Sequence, residues 1–214
     1  MHFEILIEDL SGKEALEVLV PRIIGDDHTY RIFPYKGLGT IPKGLQGSID
    51  PMKRILLDRL PKVLSGYGKS LTNGEVVIVV CDLDDKCLKA FREELYRILE
   101  MCDPRPKACF CIAIEEGEAW YLGDIAAIRM AYPHAKMTVL HSYENDSICG
   151  TWELLANAVY PGGSEKLKQL GWQQIGKEKS TWAKKITPHM NVEMNNSPSF
   201  CCFRQKLQLM TSSE

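Results

Sequence analysis

Acidic residues at two strand ends of this chain have the types and spacing to hold a hard cation. Glu8 follows the apolar run Phe3 to Ile7, and Asp82, Asp84 and Asp85 follow Val76 to Cys81. Side chains two residues apart in an extended chain lie on one side, so Asp82 and Asp84 are expected to share one ion while Asp85 points away. Carboxylates held that close repel one another unless a divalent ion that prefers oxygen, Mg²⁺ or Mn²⁺, neutralises them. Glu8 joins them as a further ligand or as a general base. Glu115, Glu116 and Glu118, after the run Ala108 to Ile114, and Asp85 are candidates for steadying the ligands or holding a second ion. Each acid also has a plainer reading. Asp84 or Asp85 can cap the helix that begins near Lys86, and the glutamates can be solvated turn residues.

Lysines are the natural partners of a phosphate near such a centre, and Lys36, Lys179, Lys184 and Lys185 are the candidates. The last three lie in a segment with Trp182, which is available either to stack on an unpaired base or to fill the core beneath a solvated helix face. Ser197, before Pro198 and Ser199, reads as a helix cap, since no histidine stands in an evident relay to either serine.

The elements that must position these groups alternate along the chain. Phe3 to Ile7, Tyr30 to Phe33, Glu75 to Cys81 and Ala108 to Ile114 read as strands, the third buried on both faces. Helices are expected from Ser11, with Glu14 completing a capping box, to Ile24; from Asp50-Pro51 to Leu64; and through Leu88, Phe91, Leu95 and Ile98 to Met101. The glycine-rich stretch from Lys36 to Gly47 reads as a mobile loop that can cover a site. Beyond Asp124 the segments Ile125 to Ala131, Trp152 to Val159, Glu165 to Leu170, Lys179 to Ile186 and Phe200 to Leu209 read as helices. The expectation is an α/β core over residues 1–123, a mainly parallel four-stranded sheet flanked by helices, with a helical C-terminal extension over residues 124–214 packed on it. In such a sheet ligands bind beyond the carboxyl ends of the strands, which is where the acids fall.

Composition narrows the class. The net charge of −2 gives the whole protein no strong pull on a polyanion, so any nucleic-acid contact must be a local basic face. Eight cysteines without Cys-x-x-Cys spacing read as reduced thiols rather than a disulfide framework or a zinc site. No apolar run is long enough to cross a bilayer and the first residues read as a strand rather than a signal peptide, so a cytoplasmic protein with no membrane partner is expected.

The pattern of Ile-Leu-Ile-Glu8 after the first strand and Val-Val-Cys-Asp82-Leu-Asp84 after a central one resembles Toprim domains. The chain is similar over nearly its whole length to a Toprim-related bacterial domain-of-unknown-function family, 4276. That likeness is carried by the opening Glu8-Asp9-Leu10-Ser11, the block Glu116-Gly117-Glu118-Ala119-Trp120-Tyr121-Leu122-Gly123-Asp124 and the tail Asn196-Ser197-Pro198-Ser199-Phe200. The resemblance implies a magnesium-dependent nuclease or phosphodiesterase acting on nucleic acid, with Asp82 and Asp84 on the metal and Glu8 in an acid-base or metal role. It equally implies a non-catalytic binding or regulatory module that works with a separate ATPase, since the chain has no phosphate-binding loop of its own.

Overall fold

The computed structural model describes residues 1–42 and 54–212. Strands β1 (His2–Ile7), β2 (Thr29–Pro34), β3 (Glu75–Asp82) and β4 (Ala108–Ala113) form one all-parallel sheet in the order β2-β1-β3-β4. Parallel neighbours require crossovers, supplied by helices α1 (Leu10–Ile24), α2 (Leu56–Ser70) and α3 (Leu88–Glu100). Valine and isoleucine dominate β3 because both of its faces are covered. Val76, Ile78 and Val80 pack with Leu16 and Leu19 of α1, whereas Val77, Val79 and Cys81 pack with Leu57 and Leu60 of α2 and Phe91 and Leu95 of α3.

The remaining chain is helical: α4 (Glu118–Leu122), α5 (Ile125–Ala131), α6 (Met137–Leu140), α7 (Thr151–Val159), α8 (Gly163–Gln169), α9 (Trp172–Ile186), a 3₁₀ turn (Thr187–His189) and α10 (Pro198–Thr211). It buries the α1 side of the sheet, with Trp152, Trp182, Phe200 and Phe203 in the same apolar cluster as Phe3 and Ile5. All eight cysteines are free thiols. No helix among the described residues is long and apolar enough to cross a membrane.

Several sequence expectations are corrected. The cap of α1 is Asp9, not Ser11: its carboxylate accepts from the Gly12 amide at 2.7 Å, and the Ser11 hydroxyl donates to it as well. Helix α2 runs later than expected, from Leu56 to Ser70, with Tyr67 one turn beyond Leu64 still packing partly on the same apolar cluster; the proposed cap at Asp50-Pro51 lies outside the described residues, as does the part of the glycine-rich stretch beyond Pro42. The described start of that stretch is packed rather than loose. Lys36 N donates to Arg54 O at 2.6 Å, Gly37 N to Glu8 O at 3.0 Å, and Leu38 is buried. Helix α9 begins seven residues before Lys179, and Trp182 within it is 0 % exposed, which leaves it no face for a base.

The Glu116–Asp124 block and the Asn196–Phe200 tail meet in space. Trp120 stacks on Phe203 at 5.0 Å and donates from Nε1 to Ser199 Oγ at 3.1 Å. Asn195 Nδ2 donates to Trp120 O at 2.8 Å, and Asn196 N donates to Gly123 O at 2.9 Å. The Ser197 hydroxyl caps α10, accepting from Phe200 N, as its position suggests. A β-carbon on Gly123 would stand 2.3 Å from Asn195 Oδ1 and 2.6 Å from Ser197 N, so only glycine admits this contact. Gly66, inside α2, faces open space. Gly123→Ala is therefore expected to destabilise the protein by about 2 kcal/mol or more through overpacking, and Gly66→Ala to stabilise it by roughly 0.5–1 kcal/mol through helix propensity. Urea unfolding of both variants checks the pair; equal stabilities would mean the Gly123 junction is not tight.

Candidate metal centre

Chain order reverses between β1 and β3, since β2 lies to one side of β1 and β3 to the other. That reversal opens a crevice at the carboxyl ends of the two strands, the place where open α/β sheets bind ligands. Glu8 ends β1 and Asp82 ends β3, and Glu8 Oε2 accepts from the Asp82 amide at 3.4 Å. Both line a partly enclosed cavity of about 40 Å³ together with Asp9, Glu118 and Lys179, room for an ion and a few waters.

Electrostatics in the cavity are dominated by crowded acids. Burial, then the charges of Asp84 and Asp9, push the Glu8 carboxyl up to about 7, although the Asp82 amide opposes this. Burial and the neighbouring Glu8 push Asp82 well above the usual carboxylate range, with Lys179 working the other way. Lys179 Nζ stands 3.3 Å from both Glu116 and Glu118. Burial works against its charge, but Glu118, Glu116, Asp82 and Asp9 outweigh that and hold the ammonium protonated above the ordinary lysine range. Glu116 is pushed up to about 7 by burial, with Lys179 as the main opposing influence.

The other candidates divide clearly. Asp84 does not line the cavity beside Asp82. The strand ends at Asp82, and Asp84 takes a left-handed backbone (φ 51°), so the extended spacing that would align the two carboxylates is lost. Its carboxylate pairs with Lys86 at 2.8 Å, close enough for its charge still to act on Glu8. Asp85 is exposed. Glu115 is spent on structure: its carboxylate accepts from the amides of Cys149, Gly150 and Thr151 at 3.1, 2.8 and 2.9 Å, closing the amino end of α7 from a left-handed backbone (φ 62°). Asp84 N donates to Glu115 O at 2.9 Å, so two residues in uncommon backbone conformations are clipped together on the rim.

Among the lysines only Lys179 reaches the cavity, where it answers carboxylates rather than standing free for a phosphate. Lys184 pairs with Glu14 at 3.0 Å, Lys185 lies over the Tyr132 ring at 5.3 Å, and Lys36 is exposed just after β2. Sequence reasoning passed over Asp9 as a member of the site and gave Lys179 the wrong partner. The spacing held a signal for the latter: Ile175, Lys179, Trp182 and Ile186 form one stripe of α9, and a lysine on a buried stripe needs a buried counter-charge.

Among the described residues no three His, Cys, Asp or Glu side chains are arranged to hold a metal ion by themselves. Mg²⁺ commonly uses only one or two carboxylates and fills its shell with water and substrate phosphate. The raised, mutually repelling pair Glu8 and Asp82 fits that demand, whereas a full protein cage is not present among the described residues. Compared with models of known families, with curated proteins and with solved structures, the chain matches none.

These acids bind protons more tightly folded than unfolded, so the metal-free protein loses stability as pH rises from the ordinary carboxylate value of 4.5 through about 7. In EDTA, the melting temperature is expected to fall by about 4 °C or more between pH 5.5 and pH 8. Glu8→Gln should shrink that difference and raise the melting temperature at pH 8. Circular dichroism melts read both; a Glu8→Gln profile superimposable on that of the parent would show that Glu8 is not under the strain described.

Proposed function

We propose that this protein is a Toprim-like, Mg²⁺- or Mn²⁺-dependent phosphodiesterase acting on nucleic acid. The observation that carries the reading is the convergence of Glu8 and Asp82, from the two strands flanking the topological reversal, on one charged cavity. The backbone trace agrees with the resemblance drawn from Glu8 and Asp82-Leu83-Asp84, since both motifs end adjacent parallel strands.

Asp82 and Glu8 are the residues that would hold the cation. When bound, the ion supplies charge neutralisation at the phosphate and acidifies a water molecule. Glu8, beside the Asp82 amide at the strand ends, is placed to take a proton from an attacking water. Lys179 keeps Glu116 and Glu118 neutralised, so that they do not add to the negative charge a phosphodiester must approach. Asp84 contributes from the rim, where its partner Lys86 is half-buried and the carboxylate itself is 44 % exposed.

A second reading, a non-catalytic module that docks a partner ATPase, draws support from Lys179, which already neutralises part of the acidic cluster without a metal. Calorimetry with Mn²⁺ separates the two, because the scaffold reading expects no binding at millimolar metal.

Asp82→Ala is expected to fold, since it removes a buried carboxylate that the fold does not favour ionising. It should lower metal-dependent cleavage of DNA or RNA by about a thousandfold, while Asp84→Ala costs about tenfold, in keeping with its place on the rim. Gel assays of cleavage with Mg²⁺ and Mn²⁺ decide the matter; parental activity in Asp82→Ala would remove the nuclease reading.

A further inference from the structure

Lys179 is held where a cation bridging two carboxylates would stand. Its Nζ lies 3.3 Å from an oxygen of Glu116 and 3.3 Å from one of Glu118, and its side chain is 16 % exposed. Both glutamates depend on it. Glu118 is 4 % exposed, lines the cavity, and receives no hydrogen bond from an amide or hydroxyl among the described residues. The Oε2 atom of Glu116 is buried and meets no donor but Lys179. These two acids flank Gly117, and a β-carbon on that glycine would stand 4.0 Å from Asp82 Oδ1. The lysine-bound pair therefore adjoins the pair formed by Glu8 and Asp82.

The surrounding charges show why one ammonium matters. The other acids whose charge reaches the cluster have partners elsewhere: Asp84 pairs with Lys86, Glu14 with Lys184 and Glu153 with Lys168. Asp9 is engaged in capping α1. That leaves two pairs of carboxylates, Glu8 with Asp82 and Glu116 with Glu118, and Lys179 as the cation between them. Each pair is what a hard divalent ion can complete with water, since such an ion needs only one or two carboxylates. One pair already has its cation, and that cation is fixed in place. Helix α9 is seated in the core by Ile175, Trp182, Ala183 and Ile186, each 4 % exposed or less.

We propose that Lys179 occupies the second cation position of this centre, so that the protein takes one divalent ion where the same carboxylates without the lysine would take two. The proposal deepens the metal-dependent reading above and rests on it. A second divalent ion brought beside the ammonium would meet a like charge in a cavity of about 40 Å³ and find Glu116 and Glu118 already engaged. In a two-ion centre the ions together stabilise the attacking and leaving oxygens of the displacement. Here one of the two positive charges is built into α9, which makes the centre a one-metal device.

The test counts the Mn²⁺ ions bound by the full chain at pH 8, by calorimetry and by electron paramagnetic resonance. The parent is expected to bind one ion per chain, and so is Lys179→Arg, which keeps the charge. Lys179→Met and Lys179→Gln, which remove it, should each bind two, with the spectrum of two coupled ions replacing that of an isolated one. Lys179→Gln retains an amide that can donate to the two carboxylates, so it carries the test where Lys179→Met leaves them bare and does not fold. Adding Glu118→Gln to Lys179→Gln should return the count to one. A purely structural lysine would move the melting temperature and leave the count alone. Two ions in the parent, or an unchanged count in the folded neutral variants, overturns the proposal. The outcomes also separate it from the reading beneath it. A parent that binds no Mn²⁺ at millimolar metal removes the metal-dependent enzyme, and a first ion appearing in Lys179→Gln then keeps the lysine as resident cation. No ion in either protein removes both, whereas one ion in parent and neutral variants alike removes the role of the lysine alone.

Discussion

The organisation of this protein turns on the cost of crowding half-buried carboxylates at one end of a parallel sheet. Glu8 and Asp9, Asp82, and Glu116 and Glu118 arrive there from three segments, and each ionised group makes the next harder to ionise. Folding answers with one cation of its own, the Lys179 ammonium between Glu116 and Glu118. A lone lysine cannot balance five acids, so the Glu8 and Asp82 carboxyls are pushed above the ordinary carboxylate range. The same imbalance is what the proposed hard cation would relieve.

That arrangement makes the C-terminal helices part of the site rather than an accessory. Helix α9 carries Lys179 into the cavity, and α9 is held in place by Ile175, Trp182 and Ile186 in the apolar cluster that also includes β1 and β3. Glu115 reaches from the end of β4 to close α7, and the Trp120 to Gly123 segment is locked against Asn195 and Ser199. Much of what distinguishes the chain's most characteristic blocks is thus mechanical. They fix the angle at which the helical layer meets the strand ends, and with it the position of the counter-ion.

By itself the sequence determined the four strands, their parallel α/β character, the helical C-terminal region, and the acids Glu8 and Asp82 at strand ends. Those features follow from apolar periodicity and from which residues close each run, and both are local. Tertiary structure decided the rest. Whether Asp84 joins Asp82 depends on a left-handed turn, held by Glu115 O from a neighbouring strand end, that no i, i+2 spacing can show. The identity of the lysine's partners and the burial of Trp182, which the spacing left open, depend on how far the core extends along α9. Helical spacing assigns a residue to a face, but only the packing of distant segments determines where along that face the cover stops.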